Sequence, residues 1–256
     1  YYNFHTWEFQ SDIPKVSSEY WATIPGNYIY NITWRGFLKF TKQESSLVKD
    51  CYNPGAHKAD CGRYIFAMEN IPAFKEEAYM TAKSNFISAV YFELSEVRHF
   101  DGRVDKVTKE WKDADTEIRT DPNIGGQLKR GKDIIQKIEP ELKAITDPLE
   151  KAKRIYSFVN TWFLWNEYMG RWSADGIKKA FEKKTGSVGD INLALIAAMR
   201  AAELNVEAAL VSTRQNGVPT ELHPVITDFN YVVAKVNIGD RSYLVDATDP
   251  YLPFGM

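Results

Sequence analysis

The chain has 256 residues, 44% of them apolar and 26% charged, which suits one large domain or two ordinary ones and is enough to bury a core. Thirty-two Lys and Arg against 34 Asp and Glu leave a formal charge of -2, so no global field favours a nucleic acid, an acidic polymer or an anionic bilayer as partner. No run reaches the roughly 18 apolar residues of a spanning helix, and Tyr1-Tyr2-Asn3-Phe4-His5-Thr6-Trp7 lacks the basic and apolar regions of a signal peptide. With no initial Met and an end at Pro253-Phe254-Gly255-Met256, the sequence reads as a processed or trimmed portion of a longer protein.

Seven Trp, 14 Tyr and 14 Phe are concentrated in the N-terminal part, where alternation also predicts strands. Tyr28, Tyr30, Ile32 and Trp34 fall on one side of a run whose other side carries Asn31, Thr33 and Arg35, the period of a strand with one wet face. Tyr64, Phe66 and Met68 repeat the pattern, as do Val90, Phe92 and Leu94 within Phe86–Val97. The aromatics suit a half-buried pleated core, with a glycan-binding face as the alternative. The strands predict an antiparallel β-sandwich-like domain over residues 1–100, truncated at its start. Cys51 and Cys61, the only cysteines, bracket a turn-rich stretch through Pro54-Gly55. If oxidised they staple a short loop, contribute about 2–3 kcal/mol and place the protein in an oxidising, exported location. Two unrelated reduced thiols are the alternative. One nearby His57 does not complete a four-ligand zinc set, so no metal is expected there.

Asp105–Asp121 is dense in both charge signs and leads through Pro122 and Gly125-Gly126 into a helical pattern ending near Pro140, so residues 101–145 read as a charged linker with a connecting helix. A second domain, residues 146–256, then opens on Asp147-Pro148-Leu149-Glu150, an N-cap aspartate with proline at the first helical position. Leu149, Ala152, Ile155, Val159 and Trp162 continue at helical spacing. Ser173 is placed to cap a helix carrying Ile177, Ala180 and Phe181, with Lys178, Lys179, Lys183 and Lys184 on its solvated side. Val188–Leu204 is apolar on most of its circumference and predicts a buried helix. Strands follow at Val206–Ser212, Asn230–Val236 and Ser242–Asp246, so the domain is α+β.

Three stretches of this second domain resemble the transglutaminase-like superfamily. Ile155-Tyr156-Ser157-Phe158-Val159 with Trp165-Asn166 looks like its entry helix, and Gly186-Ser187-Val188-Gly189-Asp190 is similar to its Gly-x-Cys-x-Asp helix start. Phe229-Asn230-Tyr231-Val232-Val233 and Tyr243-Leu244-Val245-Asp246-Ala247-Thr248 resemble its His-bearing and Asp-bearing strands. Behind an aromatic β-domain, the whole is similar to the DUF3857-plus-transglutaminase-like proteins common in Bacteroidetes. The resemblance implies a papain-like α+β fold and a Cys-His-Asp triad, in which the helix N-terminus and a paired imidazole generate a thiolate.

In this register the cysteine position holds Val188, the histidine position Tyr231, and only Asp246 matches. No cysteine follows Cys61, and the only histidine after His99 is His223, so a shift of register recovers no thiol. Thiol transglutaminase or protease chemistry is therefore not expected. A hydrolase built on Ser187, Asp190, Asp246 and His223 is the alternative, set against Ser187 and Asp190 as a capping box and His223 as a surface-loop residue. Asp246 has a turn-capping reading too, and Tyr231 is placed to reach it across the hairpin. Trp162, Trp165, Tyr168 and Trp172, with Asn230, are candidates to wall a binding cleft; core packing is their other reading. The expectation is an exported, catalytically degenerate protein that binds a peptide or glycan or serves as a structural module, with no cofactor, no nucleic acid and no transmembrane segment.

Overall fold

The computed structural model describes residues 4–107, 110–221 and 224–255. Its strands and helices are, in order, β1 (Trp7–Glu8), β2 (Lys15–Pro25), β3 (Tyr28–Arg35), β4 (Lys42–Tyr52), β5 (Ala59–Ile71), β6 (Ala89–Arg98), β7 (Val104–Lys106), α1 (Trp111–Thr120), α2 (Lys132–Ile135), α3 (Glu139–Lys143), α4 (Pro148–Trp162), β8 (Leu164–Trp165), α5 (Ile177–Lys183), β9 (Thr185–Gly186), α6 (Val188–Ala201), β10 (Val206–Val211), β11 (Tyr231–Ile238) and β12 (Arg241–Val245). The fold is mixed α+β, with antiparallel sheets first and a helix-and-sheet region after them. It divides into two compact units, Tyr1–Glu110 with Arg214–Pro224, and Trp111–Thr213 with Val225–Met256.

In the first unit, β1-β6-β3, with β7 paired to the Glu96–Arg98 end of β6, forms one sheet, and β2-β5-β4 the other. Both contribute to one core: Ala22, Ile24, Phe66 and Met68 from the β2-β5 pair, and Val90 and Phe92 from β6, with Phe9 beside them. Two sheets sharing one inner layer make a sandwich. The alternation of β3 is less regular than its sequence. The ladder to β6 slips between Ile29 and Tyr30, and while Tyr28, Tyr30 and Ile32 pack on the core, Trp34 stands 61% exposed. Cys51 and Cys61 are joined between the neighbouring strands β4 and β5, with Cα atoms 5.8 Å apart, a separation suited to a disulfide. Arg214–Pro224 belongs to this unit through the Ala82 N–H donating to the Arg214 carbonyl (3.0 Å) and the Val218 N–H donating to Asn85 Oδ1 (2.8 Å).

In the second unit, α6 runs through the middle, every residue from Ile191 to Met199 being buried. The meander β10-β11-β12 packs along it, and α4 covers it with Ala152, Ile155 and Val159. The Asp147 carboxylate caps α4 by accepting from the Glu150 N–H at 2.8 Å. Two details differ from the sequence reading. The stretch read as a linker with a connecting helix delivers Ile124, Leu128, Ile134, Ile138 and Leu142 to this core, and its helical part is broken into short turns. Ser173 does not cap α5, which starts from Gly176 at φ +93 without a side-chain cap; Ser173 is spent elsewhere, as follows.

Candidate functional site

Ser187 precedes α6 in extended conformation and closes a capping box with Asp190. Asp190 Oδ2 accepts from the Ser187 N–H and hydroxyl, both at 2.9 Å, and the Asp190 N–H returns to Ser187 Oγ at 3.2 Å. The other carboxylate oxygen accepts from the buried Ser173 hydroxyl. The carboxylate therefore serves three donors of its own surroundings, and Ser187 spends its proton on a helix cap. The activation a serine nucleophile needs comes from a free base, and no histidine occurs in the residue ranges of this unit. His223 lies outside the described residues.

Val188, the first residue of α6, has no exposed surface. Its N–H donates to the Tyr168 carbonyl at 3.1 Å. A free N–H at a helix start is the kind of donor that stabilises an oxyanion; this one is occupied. A Cβ on the next residue, Gly189, would lie 2.1 Å from the Trp172 carbonyl oxygen, so residues 166–173 lie directly against the helix start as a strap. The strap is tied at several points: the Tyr168 N–H to Asn166 Oδ1 (3.1 Å), the Trp165 indole N–H to the Tyr168 carbonyl (3.2 Å), and Arg171 Nη1 to the Phe229 carbonyl (2.6 Å). The Arg171 guanidinium stacks 4.6 Å over the Trp172 ring, and its pKa is lowered by burial.

One turn along α6 from Val188, and hence on the same face, Asn192 is wholly buried. Its amide donates to the Val232 carbonyl and to Asp246 Oδ1, both at 2.9 Å, and accepts from the Ala247 N–H at 2.9 Å. Asp246 follows the last residue of β12. Its Oδ1 also accepts from the Thr248 N–H (3.1 Å) and hydroxyl (2.8 Å), and its Oδ2 accepts from the Tyr231 hydroxyl (2.7 Å). Tyr231 and Thr248 hydroxyls are 3.0 Å apart. Burial foremost pushes the Tyr231 phenol far above its ordinary range, and the neighbouring Asp246 charge adds to the rise. The hydroxyl is thus fixed as a donor. Asn192, Thr248 and Arg171 were not singled out from sequence; a lone amide inside the apolar run Ile191–Met199 was the available signal for Asn192.

The other candidates divide. Asn230 continues the β10-β11 pairing, its amide bridging the Thr213 N–H (2.9 Å) and hydroxyl (3.0 Å). Trp162 stacks on Phe181 at 4.9 Å and donates to its carbonyl, which is packing. Trp165 packs partly on the core, whereas Tyr168 is 73% and Trp172 45% exposed on the strap. Among the described residues, no three His, Cys, Asp or Glu side chains gather as a metal site.

No family model matches the chain, and no curated protein matches it. Among solved structures it is similar to a protein of Parabacteroides distasonis ATCC 8503 described as a "putative protease", with 11% identity and a TM-score of 0.54 over 97% of this chain and 46% of that one. The chain spans about half the length of that structure. At this identity the likeness is one of fold, the mixed α+β arrangement described above.

Proposed function

We propose that the chain is a member of the transglutaminase-like superfamily with a DUF3857-type N-terminal β-domain, catalytically inactive, and that it acts in the cell envelope as a binding or structural module for a peptide or glycan. The observation that carries this reading is the fully buried Val188 at the start of α6, with its N–H donating to Tyr168. The residue placed for a nucleophile has neither a reactive atom nor room for a substrate. The hydrogen-bonded Tyr231–Asp246 pair supports the proposed register, and the fold likeness to the Parabacteroides structure supports the mixed α+β fold that the reading requires. Export is supported by the Cys51–Cys61 bond; among the described residues no helix is long and apolar enough to cross a membrane.

The hydrolase alternative gains nothing from the Ser187 geometry. Intact-mass labelling with a fluorophosphonate probe tests the point. The reading expects no adduct; an adduct lost in Ser187→Ala would establish a serine hydrolase in its place.

A further inference from the structure

Beyond the capped helix start, the second unit holds a cavity of about 770 Å³ lined from α1, the turn Gly125–Lys129, the end of α6, and β10 and β11. That volume is in the range of small-molecule sites. The wall is apolar at Ile118, Leu128, Leu204 and Ala208 and charged at Arg119, Lys129, Arg200 and Lys235 against Asp115 and Glu207, an excess of two positive charges in a chain of net charge -2.

The ion pairing leaves a specific vacancy. Asp115 accepts Arg119 at 2.7 Å, and Glu207 accepts Lys235 and the Asn237 amide, each at 3.3 Å. Both acids are thereby committed. Arg200 donates through Nε to the Val206 carbonyl at 3.0 Å, which fixes the plane of its guanidinium. Among the described residues no carboxylate lies within ion-pair distance of it or of Lys129. Arg200 stands exposed at the mouth of the cavity; partial burial and then the neighbouring Arg119 charge lower its pKa, with Glu207 opposing. A planar fork held at one nitrogen, with its remaining donors unpaired beside an apolar wall, matches a carboxylate carrying an apolar body.

We propose that this cavity binds a small organic carboxylate with an apolar body, the chemistry shared by a free acid and the C-terminal end of a short peptide, with Arg200 receiving the carboxylate. The proposal is independent of the inactive-triad reading, because Arg200 lies about 18 Å along α6 from Val188 at 1.5 Å per residue and titration does not depend on labelling at Ser187.

The test titrates the whole chain, by methyl NMR, with the tripeptide Ala-Leu-Leu, its C-terminal amide, and isocaproate. Saturable shifts at Ile118, Leu204 and Ala208 are expected with the free acids and not with the amide. Tighter binding of the tripeptide than of isocaproate would assign the site to peptide ends, and the reverse to simple acids; either supports the site. Arg200→Gln should weaken binding about tenfold or more, Lys235→Gln less than about twofold, since that charge already has its partner. Ile118→Phe, which reshapes the apolar wall and leaves the charges alone, should also weaken binding. No saturable shift with either acid, an equal response to acid and amide, or unchanged affinity in a cooperatively melting Arg200→Gln would overturn the proposal.

Discussion

The Tyr231 hydroxyl donates to Oδ2 of Asp246 across 2.7 Å, from a strand facing α6 to the residue just after β12. A protonated phenol with so high a pKa cannot take a proton from a neighbouring nucleophile near neutrality, yet it satisfies Oδ2 of a half-buried carboxylate whose Oδ1 is served by Asn192 and Thr248. The pair holds the hairpin to the helix, because Asn192 reaches Asp246 and the Val232 carbonyl together.

Asp246→Ala should therefore act on stability. It removes the acceptor of Tyr231, Thr248 and Asn192 at once, and leaving such donors unpaired costs about 2–4 kcal/mol. Asp246→Asn, which keeps the Oδ1 contacts, should lose less. Chemical denaturation of both variants measures the difference; equal stability of wild type and Asp246→Ala would contradict the network.

Tyr231 also gives a pH signature. Its folded pKa is raised above the ordinary phenol value of about 10. Its contribution is thus complete below about pH 10 and is lost as pH rises through the folded value, since the unfolded chain releases the proton first. Thermal melts between about pH 8 and 11 should fall more steeply for wild type than for Tyr231→Phe; parallel curves would mean that the hydroxyl is not held neutral by folding.

The strap over α6 can be tested at its closest approach. Gly189→Ala puts a methyl 2.1 Å from the Trp172 carbonyl, so the strap must move, at a cost of about 2 kcal/mol or more. Gly170→Ala, with nothing within 4 Å of the added carbon, is the control and should melt within about 0.5 kcal/mol of wild type.

Cys51–Cys61 should resist alkylation in material never exposed to reductant, and reduction should cost about 2–3 kcal/mol for a loop of this length. Two freely alkylated thiols in such material would remove the main support for export.

How much the sequence disclosed depended on whether a local signal matched the physics that governs the position. The Asp147 and Ser187 caps are written in four consecutive residues each, and both caps form. The buried helix announces itself as a run apolar on most of its circumference, and it is wholly buried from Ile191 to Met199. In residues 101–145 the helical pattern before Pro140 is legible, but the charge density suggests a solvated linker, while five apolar residues on short turns of helix enter the core. The strap shows in the sequence only as a group of aromatics, because its closest approaches to α6 are made by the Tyr168 and Trp172 backbone carbonyls, which leave no mark on residue type. The cavity is hidden as well, since Arg119, Arg200 and Lys235, which line it, are far apart in the chain.

The most direct test of the inactive-site account is the thiol pKa of the double variant Val188→Cys with Tyr231→His, followed by thiolate ultraviolet absorbance against pH. With Cys51 and Cys61 joined, the new thiol is the only one that titrates. Val188→Cys alone should titrate at or above about 8.5, since the site is apolar and buried and Tyr231 is no base. Adding the imidazole beside Asp246 should bring the thiol well below that value. A cooperatively melting double variant whose thiol still titrates like free cysteine would contradict the account, because Val188 and Tyr231 would then not occupy the positions of a nucleophile and its base.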